Sequence, residues 1–196
     1  MLELYGLTSI TDEQATILSR FEGSLSLGIT SITDEQAESL SRVENLSLSS
    51  LTSITDRQTE ILSSNPNFLF SPGSLTSITK KQLVGFCSFE TLNLDSLGSI
   101  TDEQAKILSK LSELSLNGVI SLTDQQAKSL SKIESLYLNG LTSISDAQAE
   151  SLSKVSDLEL NGLTSITDKQ AESLSKVEWL YISEDLQPLI GKYQKQ

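Results

Sequence analysis

Histidine is absent from the 196 residues, and the chain has one cysteine, Cys87. Without histidine there is no Ser-His-Asp or Cys-His arrangement for nucleophilic catalysis and no imidazole to ligate a metal. One cysteine excludes a disulfide within the chain and any paired-cysteine zinc spacing. No apolar run approaches the ~18 residues of a membrane helix. The opening MLELYGLTSI has neither a basic n-region nor an uninterrupted apolar h-region, so no secretory signal is legible. Bases are scarce as well. Fourteen Lys and Arg against 26 acids leave a net charge of −12, which makes nucleic acid and anionic membrane poor default partners. No Gly-rich loop is present to cradle phosphates. Catalysis, a cofactor and a metal are therefore not expected.

What is present is a repeat. LTSITDEQA or a close variant recurs along the chain, its apolar anchor falling at Ile10, Ile32, Ile54, Ile78, Ile100, Leu122, Ile144 and Ile166. The spacing is 22 residues except for 24 between Ile54 and Ile78. Eight such segments separate nine strand-like pieces. Each unit changes period halfway. Its first half alternates, as in Leu114/Leu116, Leu136/Leu138 and Leu158/Leu160, which suits a short strand with one buried face. Its second half reads T-D-x-Q-A-x-x-L. There Thr or Ser is an N-cap, Gln three residues on completes a capping box, and Asp complements the helix dipole. The predicted helix has about nine residues, buries Ala and Leu three apart (Ala149 and Leu152), and ends near Lys110, Lys132, Lys154 or Lys176. One such Asp per 22 residues does not assemble a calcium shell. The recurrent serines, Ser9 through Ser165, are expected to satisfy backbone groups at the turn before each helix, with a phosphorylation array as the sharper reading.

A short strand and a short helix cannot form a core alone, so the units must stack. The stretch VSDLELNGLTSITDKQAESLSK, Val155 to Lys176, resembles the leucine-rich-repeat pattern LxxLxLxxxxLxxI, most closely the 22-residue helical-backed repeats of bacterial proteins. The resemblance covers nearly the whole chain. It implies an α/β, right-handed leucine-rich-repeat solenoid of ribonuclease-inhibitor-like horseshoe form, with parallel strands on the concave face and short helices on the convex face. It also implies a binding role. The organisation expected is one domain over 1–196 of about eight repeats, with an irregular unit at 65–90 and a C-terminal cap at 183–196. One departure stands out. The ladder asparagine usual after the strand is missing, and Asn-Gly pairs stand earlier, at Asn117, Asn139 and Asn161.

The irregular unit holds two of the three prolines and two extra residues at Ser71–Ser74, with Phe68 and Phe70 in the buried strand slots. Lys80 and Lys81 replace the acidic pair at the helix start, opposing the dipole. Gly85 weakens the helix interior by about 1 kcal/mol, Phe86 takes the leucine slot, and Cys87 aligns with a serine. Two readings stay open: a loop and basic spot for a ligand, or a decayed unit tolerated in mid-array.

Strand residues between the buried positions line the concave face. Toward the C-terminal end, Tyr137, Asp157, Glu159, Trp179 and Tyr181 form an aromatic and acidic patch, flanked by Asn139 and Asn161. Aromatic side chains dominate binding hot spots because they bury much area at little entropic cost. The leading expectation is a protein-recognition module whose partner is another protein or peptide, a basic one fitting best. The alternative is a structural or self-assembling array: an end-to-end homodimer through the uncapped N-terminal strand, or a spacer in a longer protein. A freshly duplicated array with no specialised ligand is a third reading. The lack of disulfides and of a visible signal favours the cytoplasm, and export by another route leaves the same sequence.

Overall fold

The computed structural model describes residues 1–65, 74–87 and 90–194. Strands β1 (Leu2–Leu4), β2 (Ser24–Leu27), β3 (Asn45–Ser47), β4 (Thr91–Asn93), β5 (Glu113–Ser115), β6 (Ser135–Tyr137), β7 (Asp157–Leu160) and β8 (Trp179–Ile182) alternate with helices. These are α1 (Asp12–Leu18), α2 (Asp34–Leu40), α3 (Asp56–Ser63), α4 (Lys80–Phe86), α5 (Asp102–Leu108), α6 (Asp124–Leu130), α7 (Asp146–Leu152), α8 (Asp168–Leu174) and α9 (Gln187–Gln194). The strand piece expected around Phe68 and Phe70, with the insertion up to Gly73, lies outside the described residues.

The chain divides into two compact units, Met1–Asn93 and Leu94–Gln196. In the first, β1, β2 and β3 are parallel neighbours, with Leu2 opposite Leu25 and Leu25 opposite Leu46. In the second, β5, β6, β7 and β8 follow one another in parallel, and Leu114, Leu136, Leu158 and Leu180 stand in one row. Residues 22 apart thus occupy equivalent places in successive coils. The repeated leucines are the core: Leu114, Leu116, Leu136, Leu138, Leu158 and Leu160 are all fully buried, as are Ala105, Ala127, Ala149 and Ala171 on the helices. Burying a leucine contributes about 1.5–3 kcal/mol, and each coil offers too few for independence.

Every helix from α1 to α8 starts with the full capping box, from Thr11–Gln14 through Thr167–Gln170. The helices are shorter than the periodicity predicts. Most have seven residues and stop at the leucine, so Lys110, Lys132, Lys154 and Lys176 lie beyond the C-cap serine rather than in the last turn.

Two side chains of the box also hold coil to coil. The cap hydroxyl of Ser145 donates to Asp124 Oδ1 of the preceding coil at 2.7 Å, and Thr123 donates to Asp102 at 2.9 Å. The Gln148 amide donates to the Leu122 carbonyl at 2.7 Å, and Gln126 reaches Ile100 at 2.8 Å. The cap thus spends one face on its own helix and the other on its neighbour. The serine column behaves differently from expectation. Ser9, Ser31, Ser53, Ser77, Ser99, Ser121, Ser143 and Ser165 are exposed, and among the described residues their hydroxyls bond no backbone group. The threonine before the serine does so instead, Thr52 to Thr30 O and Thr164 to Thr142 O at 3.2 Å each.

In the irregular unit, Thr79 still caps α4 and donates to Asp56 Oδ1 at 2.8 Å. Lys81 pairs with Glu60 at 2.8 Å, and this contact pushes its ammonium pKa up. An acid of the preceding coil thereby offsets a cation at a helix start. Gly85 lies against Thr59, where an added Cβ would stand 2.9 Å from the methyl, and Phe86 is fully buried.

Candidate strand-face recognition site

The strand face of the second unit carries three columns. Because the leucines point inward, the intervening residues point outward. Register places Glu113, Ser135, Asp157 and Trp179 side by side, then Ser115, Tyr137, Glu159 and Tyr181. Neighbouring strands are about 4.8 Å apart, so Glu159 sits between Tyr137 and Tyr181, with Asp157 beside Trp179. The five residues expected to form a patch are therefore contiguous. Trp179 is 60% exposed and Tyr181 48%; Tyr137, Asp157 and Glu159 are half-buried.

The electrostatics are one-sided. Burial pushes the Tyr137 hydroxyl pKa up, and the Glu113, Asp157 and Glu159 carboxylates add to the shift. Burial also raises the Asp157 carboxyl, with Glu159 repelling its charge. Asp157 Oδ1 is shielded from solvent and has no hydrogen-bond partner. No lysine or arginine stands in these two columns of the unit. Glu113, outside the expected patch, belongs to its charge. Its place one strand-pair beyond Ser135 was readable from the repeat, but its effect on Tyr137 was not.

The third column holds the asparagines, and here the structure adds a role that the pattern concealed. Asp95 Oδ1 accepts the backbone N–H of Asn117, Asn117 Oδ1 that of Asn139, and Asn139 Oδ1 that of Asn161, each at 2.9 Å. The Asn-Gly asparagines are thus the ladder, displaced from the place where the resemblance sought it. Asn139 also donates from its amide to Glu159 Oε2 at 2.8 Å, which holds that carboxylate in place. Both ends of the Asn139 side chain are engaged, and Asn161 is exposed at the end of this run.

Such a surface offers ring faces, carboxylates and a phenol. It suits a cationic or amide-bearing group, which can lie over an indole while pairing with a carboxylate. Among the described residues no group of three or more acidic or cysteine side chains is placed to hold a metal, and no helix is long and apolar enough to cross a membrane.

No protein-family model matches the sequence, and comparison with curated proteins finds no match. Solved structures do resemble it. One is the Toll chain of the Drosophila Toll–Spätzle complex, with a TM-score of 0.59 at 14% identity over 80% of this chain. Another is an internalin of Listeria monocytogenes, with a TM-score of 0.53 at 14% identity over 86% of this chain. The chain spans 22% of the first and 56% of the second. Both are leucine-rich-repeat proteins, and the parallel strands and helices described above follow the same plan: the chain folds as an α/β leucine-rich-repeat solenoid.

Proposed function

We propose that this chain is a protein-recognition module that docks a basic segment of a partner on the strand face of its second unit. The observation carrying this reading is the register that sets exposed Trp179 and Tyr181 beside Asp157 and Glu159, with no base in those columns. The Toll neighbour, solved in a complex with Spätzle, supports use of the same architecture for holding a protein. Asn139 contributes by orienting Glu159, and Asn161 extends the polar rim.

Trp179 is the only tryptophan, so its fluorescence reports docking directly. An arginine-rich peptide is expected to shift that emission at about 0.15 M salt, while its glutamine counterpart does not. Tyr137→Ala combined with Glu159→Lys is expected to abolish the response. An unchanged response in the double variant, or none in the parent, overturns the reading.

The exposed apolar residues of the first coil favour a second reading, self-association through that edge. Met1 is 84% exposed, Ile17 61% and Tyr5 57%, and Leu4, Leu7, Ile10 and Leu18 line an apolar hollow beside them. Light scattering over a concentration series tests it, since a constant monomer mass rejects an end-to-end dimer.

A further inference from the structure

On the helix side of the second unit, the acids stand mostly at the helix starts and a row of lysines gathers at the opposite ends. Lys128, Lys132 and Lys154 converge on a cleft of about 340 Å³ between α6 and α7, completed by Gln125, Ser129 and Ser131. All three lysines are exposed, and none makes an ion pair with a described residue, whereas Arg57, Lys81, Lys169 and Lys192 all do. The repeat continues the row. Lys110 and Lys176 occupy the place of Lys132 and Lys154 one coil to either side, and Lys106 the place of Lys128; these too are exposed and without a described ion pair. Six of the fourteen basic residues thus gather on four consecutive coils. In the last two coils Glu150 and Glu172 replace the earlier lysine, so charge is densest around α5 and α6. A cation past a helix end is favoured by the exposed carbonyls there. That preference accounts for each lysine singly and leaves every ammonium with donors to spare. The two serine hydroxyls are already committed, Ser129 to Gln125 O at 3.0 Å and Ser131 to Lys128 O at 2.9 Å. Ammonium groups and the Gln125 amide therefore make up the binding capacity.

From this arrangement we infer a second docking site, on the helix side, for an extended acidic segment of a protein, seated across α5 to α8 with its carboxylates on the lysine row. Packed helices lie about 8–10 Å apart, and three residues of extended chain span about 10 Å. A segment with an acid at every third residue therefore meets one coil per acid. A linear segment touches the row alone. A bilayer or a duplex presents its charge to much more of the chain, whose net charge is −12, within reach of a Debye length of about 8 Å. This site is independent of the strand-face reading, because it uses the opposite surface and the opposite charge.

The test is fluorescence anisotropy of a labelled twelve-residue probe peptide with Glu at every third position. A Gln-substituted control peptide, phosphatidylserine-containing vesicles and a single-stranded oligonucleotide run in parallel. The acidic peptide is expected to bind the full chain, more weakly as salt rises, and the control is not. Lys128→Gln, Lys132→Gln and Lys154→Gln combined are expected to weaken binding about tenfold, three exposed charge contacts together being worth about one power of ten. The corresponding Lys→Arg triple variant is expected to restore it. Circular dichroism should show all variants folded, the lysines being exposed. Equal binding of acidic and control peptides overturns the inference, as does a triple Gln variant that binds like the parent. So does capture of vesicles or oligonucleotide in preference to the peptide.

Discussion

Asn139 accepts the backbone N–H of Asn161 on its side-chain oxygen at 2.9 Å and donates from the same amide to Glu159 at 2.8 Å. One side chain thus joins two coils through the backbone and through a carboxylate. Asn139→Ala removes the acceptor of the Asn161 N–H and the part-buried bond to Glu159, and is expected to cost about 1–2 kcal/mol. Asn161→Ala, at the exposed end of the run, should change stability by no more than about 0.5 kcal/mol. Urea titrations of the two variants, compared at equal m, check the asymmetry.

Gln126 serves two masters, its own cap at Thr123 and the Ile100 carbonyl of the coil before. Gln126→Glu keeps the acceptor for the cap and loses the donor to Ile100. A loss of about 1–3 kcal/mol at neutral pH is expected, partly recovered below the ordinary glutamate pKa of about 4.3, where the protonated acid donates again. Equal stability of variant and parent at pH 7 would show that the inter-coil bond contributes little.

Gly140 lies under the preceding coil, and an added methyl would overlap the Asn117 carbonyl oxygen and stand 2.8 Å from that of Val119. Gly140→Ala is expected to cost about 2–3 kcal/mol, a fall in Tm of several degrees. Gly98 faces open space, so Gly98→Ala should be neutral or stabilising by up to about 1 kcal/mol. Thermal melts of the pair separate close approach from general glycine effects.

Burial and Glu159 hold the Asp157 carboxyl above its ordinary value, so the folded chain keeps this proton to higher pH than the unfolded chain. Stability therefore falls as pH rises from the unfolded carboxyl's range through the raised folded one. Asp157→Asn removes that loss. The variant should melt about 1–2 °C higher at neutral pH, with the difference closing near pH 3. A variant less stable than the parent at pH 7 would contradict the repulsion.

Trp179 contributes area to solvent rather than to the core, being 60% exposed. Trp179→Ala should leave stability within about 0.5 kcal/mol while removing a main anchor of the strand-face site. A large loss of stability would instead make it a cover for the last strand.

The outward columns were legible because a strand has period two and its leucines name the buried face. That period and the 22-residue step suffice to group Tyr137, Asp157, Glu159, Trp179 and Tyr181 on one face. They do not give how far each is exposed, or that Asn139 is already committed. The helices end earlier than the lysines suggest, because a cation is favoured near the terminal carbonyls just past the C-cap serine as well as within the last turn.

By itself, then, the sequence determined the coil: strand, capped helix, buried Leu and Ala, and the 22-residue step that aligns Leu136, Leu158 and Leu180. These follow from contacts a few residues apart, and local periodicity encodes such contacts directly. Tertiary structure alone decided what passes between coils: the asparagine ladder, the second bond of each capping glutamine, the carboxylates around Tyr137 and the lysine cleft. Each joins groups from different coils, about 20 or more positions apart, and their geometry is set by how one turn of the stack rests on the next.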